Sequence, residues 1–153
     1  MYQKKFCTKF MTPTEAAYIA GIMDGEGSIS LWREKRKGNK SGVRFKSTFT
    51  IANTNLNILN KCIEYIGCGK NHVSRQGKDG HKTCYHTYFT PYEIRHIIPQ
   101  ITGYLVGKKR QAELLMEYFN ILDNCKYSQT ITIHSKMDEI CSNLQFLNKR
   151  GTN

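Results

Sequence analysis

At 153 residues the chain is long enough for one folded domain with a sizeable core and does not require a second domain. Its 23 Lys and Arg against 12 Asp and Glu give a net charge of +11, which attracts polyanions and makes nucleic acid the leading partner. The sequence contains no apolar run of about 18 residues, no basic amphipathic helix and no secretory signal in residues 1–11, so we expect an intracellular protein that does not bind membranes.

The cysteines and histidines show no metal-ligand spacing. The six cysteines are scattered without a C-x-x-C pair, and the five histidines form no H-E-x-x-H or similar pattern. Cys62 and Cys141 fall on apolar helix faces and are interpreted as small core residues. We therefore expect reduced thiols, no structural zinc site and no small-molecule cofactor.

The first predicted element is a helix that follows a basic arm over residues 1–11. Thr12 and Glu15 have the spacing of a capping box, and Pro13 occupies the first helical position. These signals predict a helix that starts there and ends near Gly25.

This helix carries small residues on one face and acids at its end. Ala17, Gly21 and Gly25 recur every fourth residue, so one small residue per turn lies on a single face, where another backbone can approach closely. Asp24 and Glu26 stand where the helix stops, and the glycines around them are expected to provide the freedom to leave it. A carboxylate held at the rim of a packed helix is well placed to bind a metal ion. The alternative from these residues alone is a buried helix with a Gly-rich C-cap and solvated acids.

Two hairpins are predicted from alternating hydropathy. The first runs from Ser28 through a turn at 37–42 and then from Val43 to Asn53, and the second pairs 71–76 with 83–89. In the second hairpin, three residues are expected to turn to the core: Val73, Tyr85 and Phe89.

The polar face of these strands is basic. Seven of the residues from Arg33 to Lys46 are Lys or Arg, against one acid. A charge run alone usually marks a solvated face, but the alternation favours a polar β-ribbon that enters the major groove. The predicted DNA-contacting residues are Ser30, Trp32, Glu34, Arg36, Arg44, Lys46, Thr48, Thr50, Ser74, Gln76, His86 and Tyr88. Arg36 and Arg44 are favoured for guanine contacts, because a guanidinium can bond two acceptors on one base edge.

Four further helices are predicted from apolar periodicity. They cover about Thr54 to Ile66, a short stretch after Pro91, a stretch entered by the basic segment 104–112, and about Ser135 to Leu147. The lysines at the start of the third helix face the unfavourable end of its dipole, which weakly indicates a nearby phosphate.

The decapeptide from Tyr18 to Gly27 resembles the LAGLIDADG motif of homing endonucleases at all ten positions, with Ile19 for the family's first Leu and Glu26 for its last Asp. The single copy and the element order resemble the homodimeric branch of that family. The resemblance implies an α+β fold with an αββαββα core and a saddle-shaped antiparallel sheet. It also implies a single domain over residues 1–153, with arm 1–11, core 12–147 and tail 148–153.

The resemblance further implies a homodimer in which the two motif helices pack against each other at a two-fold axis. The implied interface residues are Ala17, Gly21, Asp24 and Gly25, with Asp24 capping or orienting the helix ends there.

By resemblance, the implied catalytic residues are Glu26, Lys108 and Asn53. Glu26 matches the family's metal-binding acid, and the backbone carbonyl of Gly25 is a further metal ligand. Lys108 matches a lysine at the periphery of the active site, and Asn53 matches a position that often holds a water-ordering polar residue. The family's basic residue four positions further on corresponds here to Asn57, which is neutral.

The sequence therefore predicts a homodimeric, Mg²⁺-dependent endonuclease, with Mn²⁺ as a substitute metal, that cleaves double-stranded DNA at a long pseudo-palindromic site and leaves short 3′ overhangs. The alternatives are a non-cleaving intron maturase or DNA-binding regulator of the same fold, and a basic RNA-binding domain. The last leaves the acid Glu26 unexplained. The expected location is an organelle (chloroplast or mitochondrion) or a prokaryotic or phage-infected cytoplasm.

Overall fold

The computed structural model describes residues 7–35, 37, 42–125 and 131–149. The elements are α1 Pro13–Glu26, β1 Gly27–Lys35, β2 Val43–Asn53, α2 Leu56–Ile66, β3 Lys70–Arg75, β4 Cys84–Tyr88, α3 Pro91–Ile101, a 3₁₀ turn Thr102–Tyr104, α4 Lys109–Asn124 and α5 Ile131–Leu147. This is the predicted order of helix, two strands, helix, two strands and then helices. Among the described helices, none combines the length and apolarity that a membrane span needs.

The start of α1 confirms the predicted capping box. The Thr12 hydroxyl accepts a hydrogen bond from the Glu15 N–H (3.3 Å), and the Glu15 carboxylate accepts one from the Thr12 N–H (2.8 Å). Pro13 is the first helical residue, where its missing N–H has no cost. Two of the otherwise orphaned N–H groups are thereby bonded, so the first turn of α1 is fixed by local sequence alone.

The end of α1 differs from the expectation. The helix continues through Gly25 and includes Glu26, and Gly27 leaves it with an extended backbone (φ −93°, ψ 167°). Gly27 is needed for space, because a Cβ there would lie 2.1 Å from the Sδ atom of the buried Met23. β1 therefore follows α1 directly, with no loop residue between them.

The four strands form one antiparallel sheet in the order β1-β2-β4-β3. One face is apolar, and its buried residues Ile29, Leu31, Phe49 and Ile51 belong to the hydrophobic core. The buried face of α1, formed by Ala16, Ile19, Ala20 and Met23, is part of the same core. The other face carries the polar side chains, because successive residues of a strand point to opposite sides.

Helix α5 covers the free edge of β1 and begins at Ile131, four residues before the predicted start. The Cys141 thiol donates a hydrogen bond to the Leu31 carbonyl (3.1 Å), and the Asn148 amide donates one to the Ile29 carbonyl (2.8 Å). Carbonyls that an edge strand would otherwise leave unpaired are thereby satisfied.

Arg33 points toward α5 and not toward the polar face. Its guanidinium contacts the carboxylate and the carbonyl of Asp138, and it donates to the Ser142 hydroxyl (2.7 Å) and the Gln145 side chain (3.2 Å). The hydrogen bond from Arg33 holds the pKa of Asp138 below its ordinary value. One charge of the basic run therefore stabilises the fold and lies on the strand face opposite the polar one.

Residues 7–11, which the sequence assigns to the basic arm, pack across α2 and α3. The Cys7 thiol donates to the Ile66 carbonyl (3.3 Å), and the Met11 N–H donates to the Gln100 side chain (2.8 Å). Lys9 forms an ion pair with Glu15 (3.0 Å). Residues 1–6 of the arm and 150–153 of the tail lie outside the described residues.

Candidate active site and nucleic-acid interface

The two acids at the end of α1 have different surroundings. The Asp24 carboxylate is half-buried, and its oxygens accept hydrogen bonds from two backbone N–H groups, those of Val106 (2.8 Å) and Lys108 (2.9 Å). These donors belong to the segment that leads into α4. The Lys108 ammonium in turn donates to the backbone carbonyl of Asp24. Asp24 thus joins the end of α1 to the start of α4.

Glu26 is exposed, and its carboxylate makes no hydrogen bond or ion pair with the described residues. It lies two residues beyond the carbonyl that binds the Lys108 ammonium. A free, hard oxygen donor of this kind fits Mg²⁺, which is usually bound by one or two carboxylates together with phosphate oxygens and water.

A single chain provides few ligands for such an ion. Within the described residues, no group of three or more His, Cys, Asp or Glu side chains could hold a metal. Among the described residues at this end of α1, Glu26 and the carbonyl of Gly25, at a helix end where carbonyls lack intrahelical donors, are the predicted ligands. The donor set therefore fits an ion that also binds a second carboxylate or a substrate phosphate.

Asn53 lies at the same end of the β1–β2 pair as Glu26, two residues beyond Ile51, the partner of Gly27. The Asn53 side-chain oxygen accepts a hydrogen bond from the Asn55 N–H (2.8 Å), so that oxygen is used in the turn before α2. Asn57, the neutral replacement, is exposed in the first turn of α2. The structure brings Lys108 and Asn53 toward the Glu26 end of the fold, and their catalytic roles stay predictions.

The register of the first hairpin places the predicted polar residues on one face. Paired residues share a face, and the pairs are Ser28 with Thr50, Ser30 with Thr48, Trp32 with Lys46, and Glu34 with Arg44. Trp32 is 51% exposed, and Lys46 forms an ion pair with Glu34 (3.4 Å). Ser30 is only 5% exposed, because the Asn148 side chain bonds its hydroxyl. Arg36 lies outside the described residues.

The second hairpin contains a bulge that sequence analysis missed. His72 pairs with His86 and Val73 with Tyr85, but Arg75 pairs with Cys84, so Ser74 is the extra residue. Because paired residues share a face, Arg75 lies on the side of His72 and His86, the polar side.

The bulge changes the predicted contacts of this hairpin. The Ser74 hydroxyl donates to the Cys84 carbonyl (3.2 Å) and the Gln76 amide to the Thr83 hydroxyl (3.3 Å), so both side chains bond within the hairpin. Val73 pairs with Tyr85 and so shares the face that packs on the core, as expected, but it is 55% exposed and not buried, since it lies on an edge strand beside the register shift. Phe89 is buried, as predicted.

An aromatic cluster extends this surface. The His86 ring contacts the Tyr88 hydroxyl (Nδ1 to Oη, 3.2 Å), and the His72 ring packs edge-on against Tyr88 with centroids 5.5 Å apart. Lys70 is paired with Tyr88 and shares its face. Lys70, His72 and Arg75 are therefore additions to the predicted polar face, and only the strand register reveals them.

The small-residue face of α1 is open in the single chain. Ala17, Gly21 and Gly25 are exposed, and a Cβ added at Gly21 or Gly25 would meet no atom within 4 Å. Asp24 lies beside this face, but both of its carboxylate oxygens are bonded within its own chain. The face is thus available to another helix.

A cavity lies elsewhere, between the outer half of β2 and helices α3, α4 and α5. Its volume is about 280 Å³, and its lining includes Phe45, Arg95, Tyr118, His134 and Met137. Neither Glu26 nor Lys108 lines it, so it is separate from the acids at the end of α1.

A family model for LAGLIDADG endonucleases matches residues 19–119, about two thirds of the chain. The chain belongs to the LAGLIDADG endonuclease family. It is 30% identical over 111 residues to homing endonuclease I-ApeII of Aeropyrum pernix, and the match covers 72% of this chain and 65% of that relative. The chain therefore spans somewhat less than two thirds of the relative's length.

Solved structures of LAGLIDADG endonucleases share the fold. The archaeal intron-encoded homing endonuclease I-Vdi141I, solved with DNA, superimposes with a TM-score of 0.73 at 21% identity, covering 92% of this chain and 87% of that one. The group I intron-encoded I-CeuI, also with DNA, gives a TM-score of 0.74 at 16% identity, over 95% and 72%.

I-CvuI, solved on a DNA target in the presence of 2 mM Mg, gives a TM-score of 0.71 at 17% identity, over 92% of this chain and 85% of that one. At these identities the superpositions establish the fold alone. They confirm the predicted α+β LAGLIDADG fold, with its four-stranded antiparallel sheet.

Proposed function

We propose that this chain is a divalent-metal-dependent DNA endonuclease that acts as a homodimer on a long, pseudo-palindromic site. The observation that carries the proposal is the contrast between the two acids of the LAGLIDADG motif. Asp24 is bonded within the fold, whereas Glu26 is exposed and without a partner among the described residues, at the helix end that also holds the Lys108 ammonium. Among the described residues, Glu26 is therefore the acid of the motif whose oxygens are left to bind an ion, whereas those of Asp24 are already bonded.

The open face of α1 supports the dimer. Two copies of the face formed by Ala17, Gly21 and Gly25 can approach closely, as an isologous two-fold contact requires. Such a contact brings two copies of Glu26 near each other, and two carboxylates so close need a cation between them. This pairing supplies the second carboxylate that one chain lacks.

Glu26 and the Gly25 carbonyl would bind the metal ion, which when bound activates water and stabilises the charge on the attacking and leaving oxygens. The Lys108 ammonium would stabilise the negative charge that develops on the scissile phosphate. Asn53 would orient a water through its amide group, since its side-chain oxygen is used in the turn. Cleavage of both strands would leave short 3′ overhangs.

The polar sheet face would bind the DNA. Its basic and aromatic residues include Trp32, Arg44, Lys46, Arg75 and Tyr88, all exposed. Long side chains that carry hydrogen-bond donors can reach base edges in the major groove from a two-stranded ribbon. The net charge of +11 favours binding to the phosphate backbone.

The test is cleavage of a plasmid that carries the DNA flanking the gene's own insertion point, with Mg²⁺, with Mn²⁺ and with Ca²⁺. We expect double-strand cleavage with the first two ions. Binding without cleavage in Mg²⁺ would refute the nuclease and favour the non-cleaving regulator or maturase. Glu26→Gln should bind the site and leave it intact. Glu117→Gln, the same change at an exposed position of α4, should cut like the wild type.

A further inference from the structure

The hydrogen bonds between α1 and the start of α4 run in both directions. The Asp24 carboxylate accepts from the N–H groups of Val106 and Lys108, and the Lys108 ammonium donates to the Asp24 carbonyl. Gly107, between the two donors, lies close enough that an added Cβ would stand 3.6 Å from the Asp24 carboxylate. Three bonds thus fix three consecutive residues against one turn of α1.

This arrangement replaces a side-chain N-cap that α4 lacks and adds a positive charge at the end of α1, whose own cap is the bond from the Gly27 N–H to the Met23 carbonyl. Lys108 is the N-cap residue of α4 and provides no side-chain cap of its own, and α1 has no basic residue in its last turn. The Asp24 carboxylate places a negative charge at the positive end of the α4 dipole, and the Lys108 ammonium places a positive charge at the negative end of α1. Each helix end is neutralised by the other helix.

We propose that Asp24 is a positioning residue for Lys108: its carboxylate holds the backbone from Val106 to Lys108 so that the ammonium lies at the end of α1, beside Glu26. The inference rests on the proposed function for its catalytic consequence. A lysine side chain has four rotatable bonds and is mobile unless its backbone and head group are both fixed. Asp24 provides both restraints, through its carboxylate and its carbonyl.

A double-mutant cycle tests whether Asp24 acts through Lys108. Asp24→Asn keeps the size of the side chain but presents an NH₂ group to one of the two N–H donors. The single-turnover cleavage rate should fall at least tenfold in Asp24→Asn and in Lys108→Met, and the double variant should cut no more slowly than Lys108→Met alone. DNA affinity in Ca²⁺ should change by less than about threefold in all three. Multiplicative rate losses, or a loss that appears only in DNA affinity, overturn the inference.

A chemical measurement tests the position of Lys108 without cleavage. The rate at which an N-hydroxysuccinimide ester acylates Lys108, followed by peptide mass spectrometry, should rise at least threefold in Asp24→Asn. The neighbouring Lys109 is exposed and serves as the internal control, with an unchanged rate. An unchanged ratio of the two rates overturns the inference even if the wild type does not cut DNA. A wild type that does not cut refutes the nuclease and leaves this ratio to decide the positioning role.

A second variant removes one bond from the other side and keeps the charge of Asp24. Val106→Pro deletes the N–H that donates to the carboxylate, and Leu105 already has the extended backbone (φ −69°, ψ 140°) that a residue before proline requires. The Val106 side chain is 88% exposed, so no packing is lost. This variant should raise the acylation of Lys108 and slow cleavage in the same direction. If Lys108 acylates at the wild-type rate in this variant too, the carboxylate does not hold it.

Discussion

Gly21 provides the sharpest test of how the LAGLIDADG helix is used, because a side chain added there should fit in the single chain and should weaken the proposed dimer. A glycine within a helix costs about 0.8–1 kcal/mol relative to alanine. A Cβ at Gly21 would meet no atom within 4 Å of its own chain. In an isolated chain, Gly21→Ala should therefore raise stability by about 1 kcal/mol, or roughly 2–4 °C in Tm for a chain of this size.

In the proposed dimer the same position would lie between two backbones. Gly21→Leu introduces a large side chain at the contact, and the two-fold axis introduces it twice. Overpacking of this kind costs about 1–3 kcal/mol for each copy, so the dimer dissociation constant should rise by at least about tenfold, and cleavage should fall with it.

Sedimentation velocity over a range of protein concentrations measures the dissociation constant, and circular dichroism reports whether each chain is folded. Asn143→Leu, the same kind of change at an exposed position of α5, is the matched control and should leave the dimer intact. A Gly21→Leu protein that remains dimeric at the wild-type dissociation constant and cuts DNA at the wild-type rate would show that this face is not the dimer contact.

Two further predictions concern single charges. Arg75→Ala should weaken DNA binding by about 1–3 kcal/mol and relax the preference at one base pair, which binding to a set of single-base site variants would measure. Lys61→Ala on α2 is the control and should change neither the affinity nor the preference. Equal effects of the two substitutions would place Arg75 outside the interface. Asp138 has a pKa held below its ordinary 3.8 by Arg33, so its contribution is present above about pH 4 and is lost as pH falls through the lower folded value. In urea unfolding, the Asp138→Asn variant should therefore lose less stability than the wild type between pH 5 and pH 3. The difference between the two losses should be no more than about 1 kcal/mol, because the ion pair is partly exposed. Parallel profiles of stability against pH for the two proteins would contradict this.

Signals between residues close in the sequence were sufficient to predict much of the fold. The start of α1 depends on Thr12, Pro13 and Glu15, which are neighbours in the chain and bond one another in the structure. Gly67 ends α2 in the left-handed conformation (φ 84°), as its position in the sequence predicts. Apolar alternation placed Ile29 and Phe49 on the buried face for the same reason, since the strand period alone determines it.

Features that depend on distant residues were not predictable. The partners of Asp24 lie 82 and 84 residues further along the chain, so the sequence marked it as an acid at a helix end and not as the group that fixes Lys108. The bulge at Ser74 depends on how β3 pairs with β4, and the alternation of hydropathy along β3 does not predict it. Arg33 belongs to a basic run, and only the packing of α5 shows that its charge is used within the fold.

In the proposed nuclease, the direct junction between α1 and β1 would set the distance between the cleavage site and the DNA-contacting side chains. Glu26 ends the helix and Gly27 begins a strand of nine residues, with no residue between them that could absorb a change in length. A strand advances about 3.3 Å per residue, close to the 3.4 Å rise of one base pair, so β1 of the proposed nuclease would extend over roughly nine base pairs, starting at the proposed metal ligand Glu26. Because side chains alternate between the two faces of a strand, a residue inserted at the junction that shifted the register of β1 by one would move its polar side chains to the core face. In the proposed nuclease, the length of the half-site would therefore be easier to change at the far end of the hairpin, where β1 turns back toward β2.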